Sequence, residues 1–205
     1  MSDLQCPATI LVARHGDASY VETWFSDEGG WLTAAGRQQA TTLAHALVGR
    51  RISRVWTSDV SRAVQTAEIV AHHLGVGVIA HKSLREVFIG DLVGQPFDIG
   101  SLQTVTRRWF AGDLAAAFPG GESGHDVVDR WRNQLQAIAD EHRGETVLVV
   151  GHQTAAGIAV PTLCRGVRPS WVQHHQLDNC SYAEMLIDAD DWVLVGWPEG
   201  PADAG

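Results

Sequence analysis

The chain has 205 residues, with 24 acidic against 15 basic side chains and a formal charge of −9. At 45% apolar and 19% charged residues it has the composition of one globular domain, long enough to bury a core without staples. The negative balance reads against nucleic acid or an anionic membrane as a partner, and the apolar runs 10–13 and 147–150 fall far short of the roughly 18 residues of a membrane span.

Cys6, Cys164 and Cys180 are odd in number and widely spaced, which excludes a disulfide framework and fits a reducing cytoplasm. The opening MSDLQCPAT carries an acid and a proline and has no apolar h-region, so no secretory signal is expected. Fourteen of the fifteen basic residues are arginine, whose planar fork suits phosphate or carboxylate.

In chain order, 9–13 reads as a strand buried on both faces, ending at Arg14-His15-Gly16. A polar, aromatic-containing loop runs to Trp31. Thr33 is placed as the N-cap of a helix whose stripe is Ala40, Leu43, Ala44 and Leu47, closing at Gly49. A strand over 54–57 follows, then a helix capped by Ser58 or Asp59, striped by Ala63, Ala67, Val70 and Leu74, and closed by Gly75. Residues 76–80 form a third strand. From 84 to 124 glycine and proline break the pattern, and the segment is expected to be a loop-rich, cap-like insertion with one helix around 102–110. A longer helix is expected over 126–141, a strong strand over 146–150 ending in Gly151-His152, and a small-residue helix over 155–163. Strands at 181–187 and 192–196 flank a solvated turn at 188–191, and the tail 198–205 is expected to be loose. Alternating strands and helices predict one α/β domain over 1–205, a three-layer sandwich with a mostly parallel sheet.

In such sheets ligands sit beyond the carboxyl ends of the strands. Three strand ends deliver Arg14-His15, Ser58-Asp59 with Arg62 one turn on, and His152. Two imidazoles and two guanidiniums on one rim, beside helix N-termini, suit an anion and a phosphoryl group in particular. The pairs His72-His73 and His174-His175 lack the spacing that sets two ligands on one helix face, and they read as surface or loop residues. Asp188, Asp190 and Asp191 lack the pattern of a calcium loop.

The chain resembles branch 1 of the histidine phosphatase superfamily, the phosphoglycerate mutase-like proteins. The resemblance rests on Arg14-His15-Gly16, the run from Leu32 to Ala40, the run from Ser58 to Ala67, Leu84-Arg85-Glu86 with Gly90 and Gly94, Pro119-Gly120-Gly121-Glu122-Ser123, and His152 after 147–151. It implies His15 as the nucleophile that becomes a phosphohistidine. Arg14, Arg62 and His152 would hold phosphoryl oxygens, and Glu86 would serve as acid and then base, with Asp91 as the fallback. Gln153 and Arg85 are taken as further substrate-binding residues, and no metal or cofactor is required. The two arginines should keep His15 neutral, and a bound imidazole nitrogen splits one hard displacement into two easier ones.

Three positions depart from the family's habit. Ala18 and Val21 stand where many members carry Ser or Thr and Asn, and Gln153 stands where Gly is common. The expected function is metal-independent hydrolysis of a small phosphorylated metabolite, with a phosphoglycerate mutase-type phosphomutase or a weakly catalytic phosphate-binding module as alternatives. The aromatics Trp24, Phe25, Trp31, Trp109, Phe110 and Phe118 flank the expected mouth, with core packing expected for most. The substrate and the oligomeric state are not legible in the sequence.

Overall fold

The computed structural model describes residues 6–20, 23–26, 29–165, 167–189 and 191–198. The expectations for Val21, Asp190 and the tail from 199 lie outside these residues. Strand β1 (Ala8–Arg14) is followed by two short strands, β2 (Ala18–Ser19) and β3 (Trp31–Leu32), then helix α1 (Ala34–Leu47). β4 (Ile52–Thr57), α2 (Ser61–Leu74) and β5 (Val78–Ala80) come next. α3 (Ile99–Phe110), α4 (Gly124–Glu141), β6 (Thr146–Gly151), α5 (Gln153–Leu163), α6 (Pro169–Val172), β7 (Tyr182–Asp188) and β8 (Asp191–Gly196) complete the order.

Six strands form one sheet in the order β5-β4-β6-β1-β7-β8. The first four run parallel, and β7 and β8 add an antiparallel edge. The period-2 alternation of strand side chains divides the interior in two. Ile10, Val12, Val147 and Val149 point to the face covered by α4 and α5, while Leu11, Ala13, Leu148 and Val150 meet α1 and α2. This accounts for the unbroken apolar runs of β1 and β6, which are buried on both faces.

Thr33 caps α1 as expected, its Oγ1 accepting from Gly36 N at 3.0 Å, and α2 ends in Gly75 at φ +69. The cap expected of Ser58 or Asp59 is not made. Val60 is the N-cap of α2 and no side chain caps it, because Ser58 faces His152 and Asp59 is held by Arg85. α4 starts two residues earlier than expected, in a capping box between Ser123 and Asp126. α5 likewise starts at Gln153, and it is buried nearly all round, as its small apolar residues dictate. The two-residue β2–β3 ladder and α6 are too short to leave a periodic signal, and they were not expected.

The segment 84–124 is not merely draped over the site. Leu84, Val87, Ile89, Val105, Trp109, Phe110 and Phe118 belong to the same core as α4 and α5. Of the six flagged aromatics, Phe25, Trp109, Phe110 and Phe118 are buried, whereas Trp24 and Trp31 are exposed. No helix among the described residues is long and apolar enough to cross a membrane.

Candidate active site

The parallel register assembles the site. Arg14 of β1 lies opposite Gly151 of β6, and Thr57 of β4 lies opposite Val150, so the residues just past these three ends are neighbours. His15 N donates to Gly151 O at 3.0 Å and Ser58 N to Val150 O at 3.0 Å, which extends the ladder one step into the site.

Arg62, in the first turn of α2, is buried and joins the two imidazoles. Its Nε donates to His15 Nε2 at 3.0 Å, its Nη2 lies 3.1 Å from His152 Nδ1, and its Nη1 donates to the Gly29 carbonyl. A guanidinium only donates, so both imidazole nitrogens facing it must be acceptors. The proton of His15 is then on Nδ1, bonded to the Gly16 carbonyl at 2.7 Å. The proton of His152 is on Nε2, bonded to Ser58 Oγ at 2.9 Å. Burial first, and the charge of Arg62 next, pull His15 down to about 3 from 6.5, and the same causes hold His152 well below its ordinary value. Both rings are neutral at pH 7, and His15 presents a lone pair on Nε2.

Arg14 donates to the Leu177 carbonyl at 3.1 Å, while its Nε is buried without a hydrogen-bond partner among the described residues. None of Arg62's described hydrogen bonds goes to a carboxylate. Two guanidiniums beside two neutral rings, in a chain of charge −9, make a cationic recess that an anion would complete.

The loop carrying His15 is clamped from several sides. Gly16 N donates to Thr66 Oγ1 of α2, Asp17 N to Gln39 Oε1 of α1, and Asn179 Nδ2 to His15 O at 2.8 Å. Thr33 Oγ1 donates to Asp17 Oδ2 at 2.6 Å. Gly16 and Gly36 meet backbone to backbone. A Cβ at Gly16 would come within 2.6 Å of Gly36 O, and one at Gly36 would overlap Asp17 O. The runs Leu32–Ala40 and Ser58–Ala67 thus hold the loop in place. They are more than helix sequence.

Glu86 reaches the start of α5, where its carboxylate accepts from Thr154 N at 3.1 Å, Ala155 N at 2.8 Å and its neighbour Val87 N at 3.0 Å. Its loop is fixed by Arg130, which donates to the carbonyls of Ser83, Arg85 and Glu86 and pairs with Glu122 at 2.6 Å. Asp91 is exposed on the turn 90–92, with its carboxylate against Gly120. Arg85 is found in a bidentate pair with Asp59, at 2.5 and 2.9 Å. Gln153 bonds Gln176. Ala18 is buried in the β2–β3 ladder opposite Leu32. His72, His73 and His174 are exposed, and His175 stacks on Trp171 with centroids 4.1 Å apart.

Asn179, Arg130 and the carbonyls of Gly29 and Leu177 carried no sequence-level signal as parts of the site, because each acts across the fold. Ser58 was expected at the rim and as a cap, but not as the partner of His152. Among the described residues no group of three or more His, Cys, Asp or Glu is arranged to hold a metal ion.

A sheet whose parallel strand ends gather two neutral imidazoles and two guanidiniums defines an α/β protein built to handle an oxyanion. The chain belongs to the histidine phosphatase superfamily, branch 1, whose family model matches residues 10–200. It is 33% identical over 201 residues to phosphoglycerate mutase-like protein 4 of Arabidopsis thaliana, covering 93% of this chain and 84% of that one. It is 32% identical over 195 residues to the probable phosphoglycerate mutase GpmB of Escherichia coli, covering 92% and 89%. Among solved structures, mycobacterial hydrolase 1 superposes with a TM-score of 0.74 at 25% identity, over 95% of this chain and 99% of that one. A mycobacterial glucosyl-3-phosphoglycerate phosphatase shares the fold, with a TM-score of 0.74 at 24% identity over 94% and 98%.

Proposed function

We propose that the protein is a metal-independent phosphomonoesterase that hydrolyses a small phosphorylated metabolite through a phosphohistidine on His15. The observation that carries this reading is the Arg62 bridge, which leaves His15 neutral with its lone pair on Nε2 and sets His152 beside it. In the first step Nε2 attacks phosphorus, the N–P bond forms and the ester P–O bond breaks. The leaving oxygen takes a proton from Glu86. In the second step Glu86 takes a proton from water, the water oxygen attacks phosphorus, and the N–P bond breaks to release phosphate. Arg14 and Arg62 supply the donors that spread negative charge requires, and His152, held through Nε2 by Ser58, is the neighbouring imidazole to which the resemblance gives a share in phosphoryl binding. An arriving phosphoryl oxygen would take over the Arg62 Nε–H and free the lone pair it now occupies.

Screening phosphorylated metabolites for phosphate release, with pulse-labelling for an acid-labile adduct, tests the reading. His15→Ala should lower turnover by on the order of a thousandfold or more, and chelators should leave the rate unchanged. Full activity in His15→Ala would overturn it. Binding of phosphate without turnover would point to a phosphate-recognition module. The names of the Arabidopsis and Escherichia coli relatives favour a phosphomutase as the second reading. A mutase would isomerise its substrate and need a bisphosphorylated primer, where a phosphatase releases phosphate stoichiometrically.

A further inference from the structure

The run Pro119-Gly120-Gly121-Glu122-Ser123 carries part of the family resemblance, and its hydrogen bonds reach the segment that carries Glu86. Glu122 N donates to Phe88 O at 2.9 Å, Phe88 N donates back to Glu122 Oε2 at 2.8 Å, and Asp91 N donates to Pro119 O at 2.8 Å. The two segments approach so closely that a Cβ at Gly121 would stand 2.5 Å from Phe88 O.

Arg130 completes this frame. A guanidinium has five N–H donors in a fixed fork, and here every one is placed. Nε and Nη2 meet the two Glu122 oxygens at 2.6 and 3.1 Å. Nη1 donates to the carbonyls of Ser83 and Arg85, at 2.8 Å each, and Nη2 to that of Glu86 at 3.2 Å. Both side chains of the pair are only 19% exposed, and they flank the capping box that starts α4, so a rigid helix sets their separation. The backbone of 83–88 is therefore fixed from α4, on both sides of Glu86. The Glu86 carboxylate is fixed from α5, by the N–H groups of Thr154 and Ala155. His152 is the N-cap residue of that same helix, which ties the place of the acid to the phosphoryl recess.

We propose that Arg130 and Glu122 are positioning residues for proton transfer to the leaving oxygen: their pair sets where the Glu86 carboxyl stands, without touching the substrate. The inference rests on the phosphomonoesterase reading with Glu86 as its acid. An acid displaced by a fraction of an ångström delivers its proton poorly. An alkoxide needs that proton to leave, whereas a nitrophenolate leaves without it.

The test compares ethyl phosphate with 4-nitrophenyl phosphate. Arg130→Lys keeps the positive charge, but an ammonium has three donors and no fork, so it cannot hold three carbonyls and a carboxylate together. For ethyl phosphate kcat should fall about tenfold or more with KM changed less than about threefold, while 4-nitrophenyl phosphate loses less than about threefold. In a Glu86→Gln background the same substitution should cost less than about threefold on ethyl phosphate, because the acid it positions is gone. Glu122→Gln loosens the fork and leaves the carbonyl bonds of Arg130 in place. It should show the same selectivity in smaller measure, and it carries the test where Arg130→Lys does not fold. Equal effects on the two esters, or a loss in the Glu86→Gln background as large as in the parent, would make the pair structural only and leave the phosphatase reading standing. No turnover of either ester by the parent protein, nor of any other phosphomonoester, would overturn both.

Discussion

Ser58 Oγ and His152 Nε2 stand 2.9 Å apart at the ends of two neighbouring parallel strands, and this contact decides which nitrogen of His152 faces Arg62. Ser58 Oγ also takes the Val60 N–H at 3.3 Å, so one hydroxyl secures both the ring and the turn into α2.

Removing that hydroxyl should have two separable effects. Ser58→Ala leaves a buried N–H without its acceptor, at a cost of about 1–3 kcal/mol, readable by urea denaturation. It also frees the ring to turn, so kcat should fall about tenfold or more with a smaller change in KM. Unchanged kcat with lowered stability would make Ser58 a structural residue only.

The close approach of Gly16 and Gly36 leads to a sharper expectation. Gly36→Ala sets a methyl group onto the Asp17 carbonyl, and the obstacle is backbone that is itself bonded to Thr33 N at 3.0 Å. Relief requires α1 or the His15 loop to move, so the variant should lose about 2–4 kcal/mol. Gly49→Ala meets no neighbour and carries only the strain of φ +88, which makes it a control expected to cost about 1 kcal/mol. Thermal denaturation of the two variants checks the order.

These cases mark what the sequence could and could not reveal. His15, Ser58 and His152 were legible at one rim because β-favouring runs announce parallel strands, and parallel strands end together. Arg62 followed because it lies one turn into the next helix. Asn179 and Leu177, by contrast, reach the His15 loop from more than 160 residues away, out of a segment with no periodicity. The capping expectation for Ser58 and Asp59 failed for a related reason. Both side chains were drawn off by tertiary partners, and no local pattern encodes that choice. Arg85 sits next to Glu86, yet its fork lies on Asp59, because neighbours on an extended segment point in different directions.

Glu86 illustrates how position and chemistry can be told apart. Its carboxylate accepts from the first-turn N–H groups of Thr154 and Ala155, so Glu86→Ala should destabilise the start of α5 as well as remove an acid. Glu86→Gln keeps one acceptor oxygen for Ala155 N and Val87 N, loses the acceptor of Thr154 N and removes the proton chemistry, so it disturbs α5 less than Ala does. With Gln, alkyl phosphates should slow by on the order of a hundredfold while activated aryl phosphates lose less than about tenfold. Equal losses on both esters would argue that Glu86 is a positioning residue for α5.

The two buried rings make stability depend on pH in a stated direction. His15 titrates at about 3 in the folded protein against 6.5 for the free side chain, so between these values the unfolded chain binds the additional proton. Stability from this group is therefore complete above pH 6.5 and lost progressively as pH falls toward 3. The full depression corresponds to something on the order of 5 kcal/mol, and His152, depressed in the same direction, steepens the fall. Urea midpoints measured from pH 7 down to pH 4.5 should decline, and His15→Gln should flatten the slope by removing one titrating ring. Phosphate at saturating concentration should raise the midpoint throughout, by mass action on the folded state. A midpoint that is flat with pH in the parent protein would mean that the rings are solvated, and the neutral nucleophile would lose its physical basis.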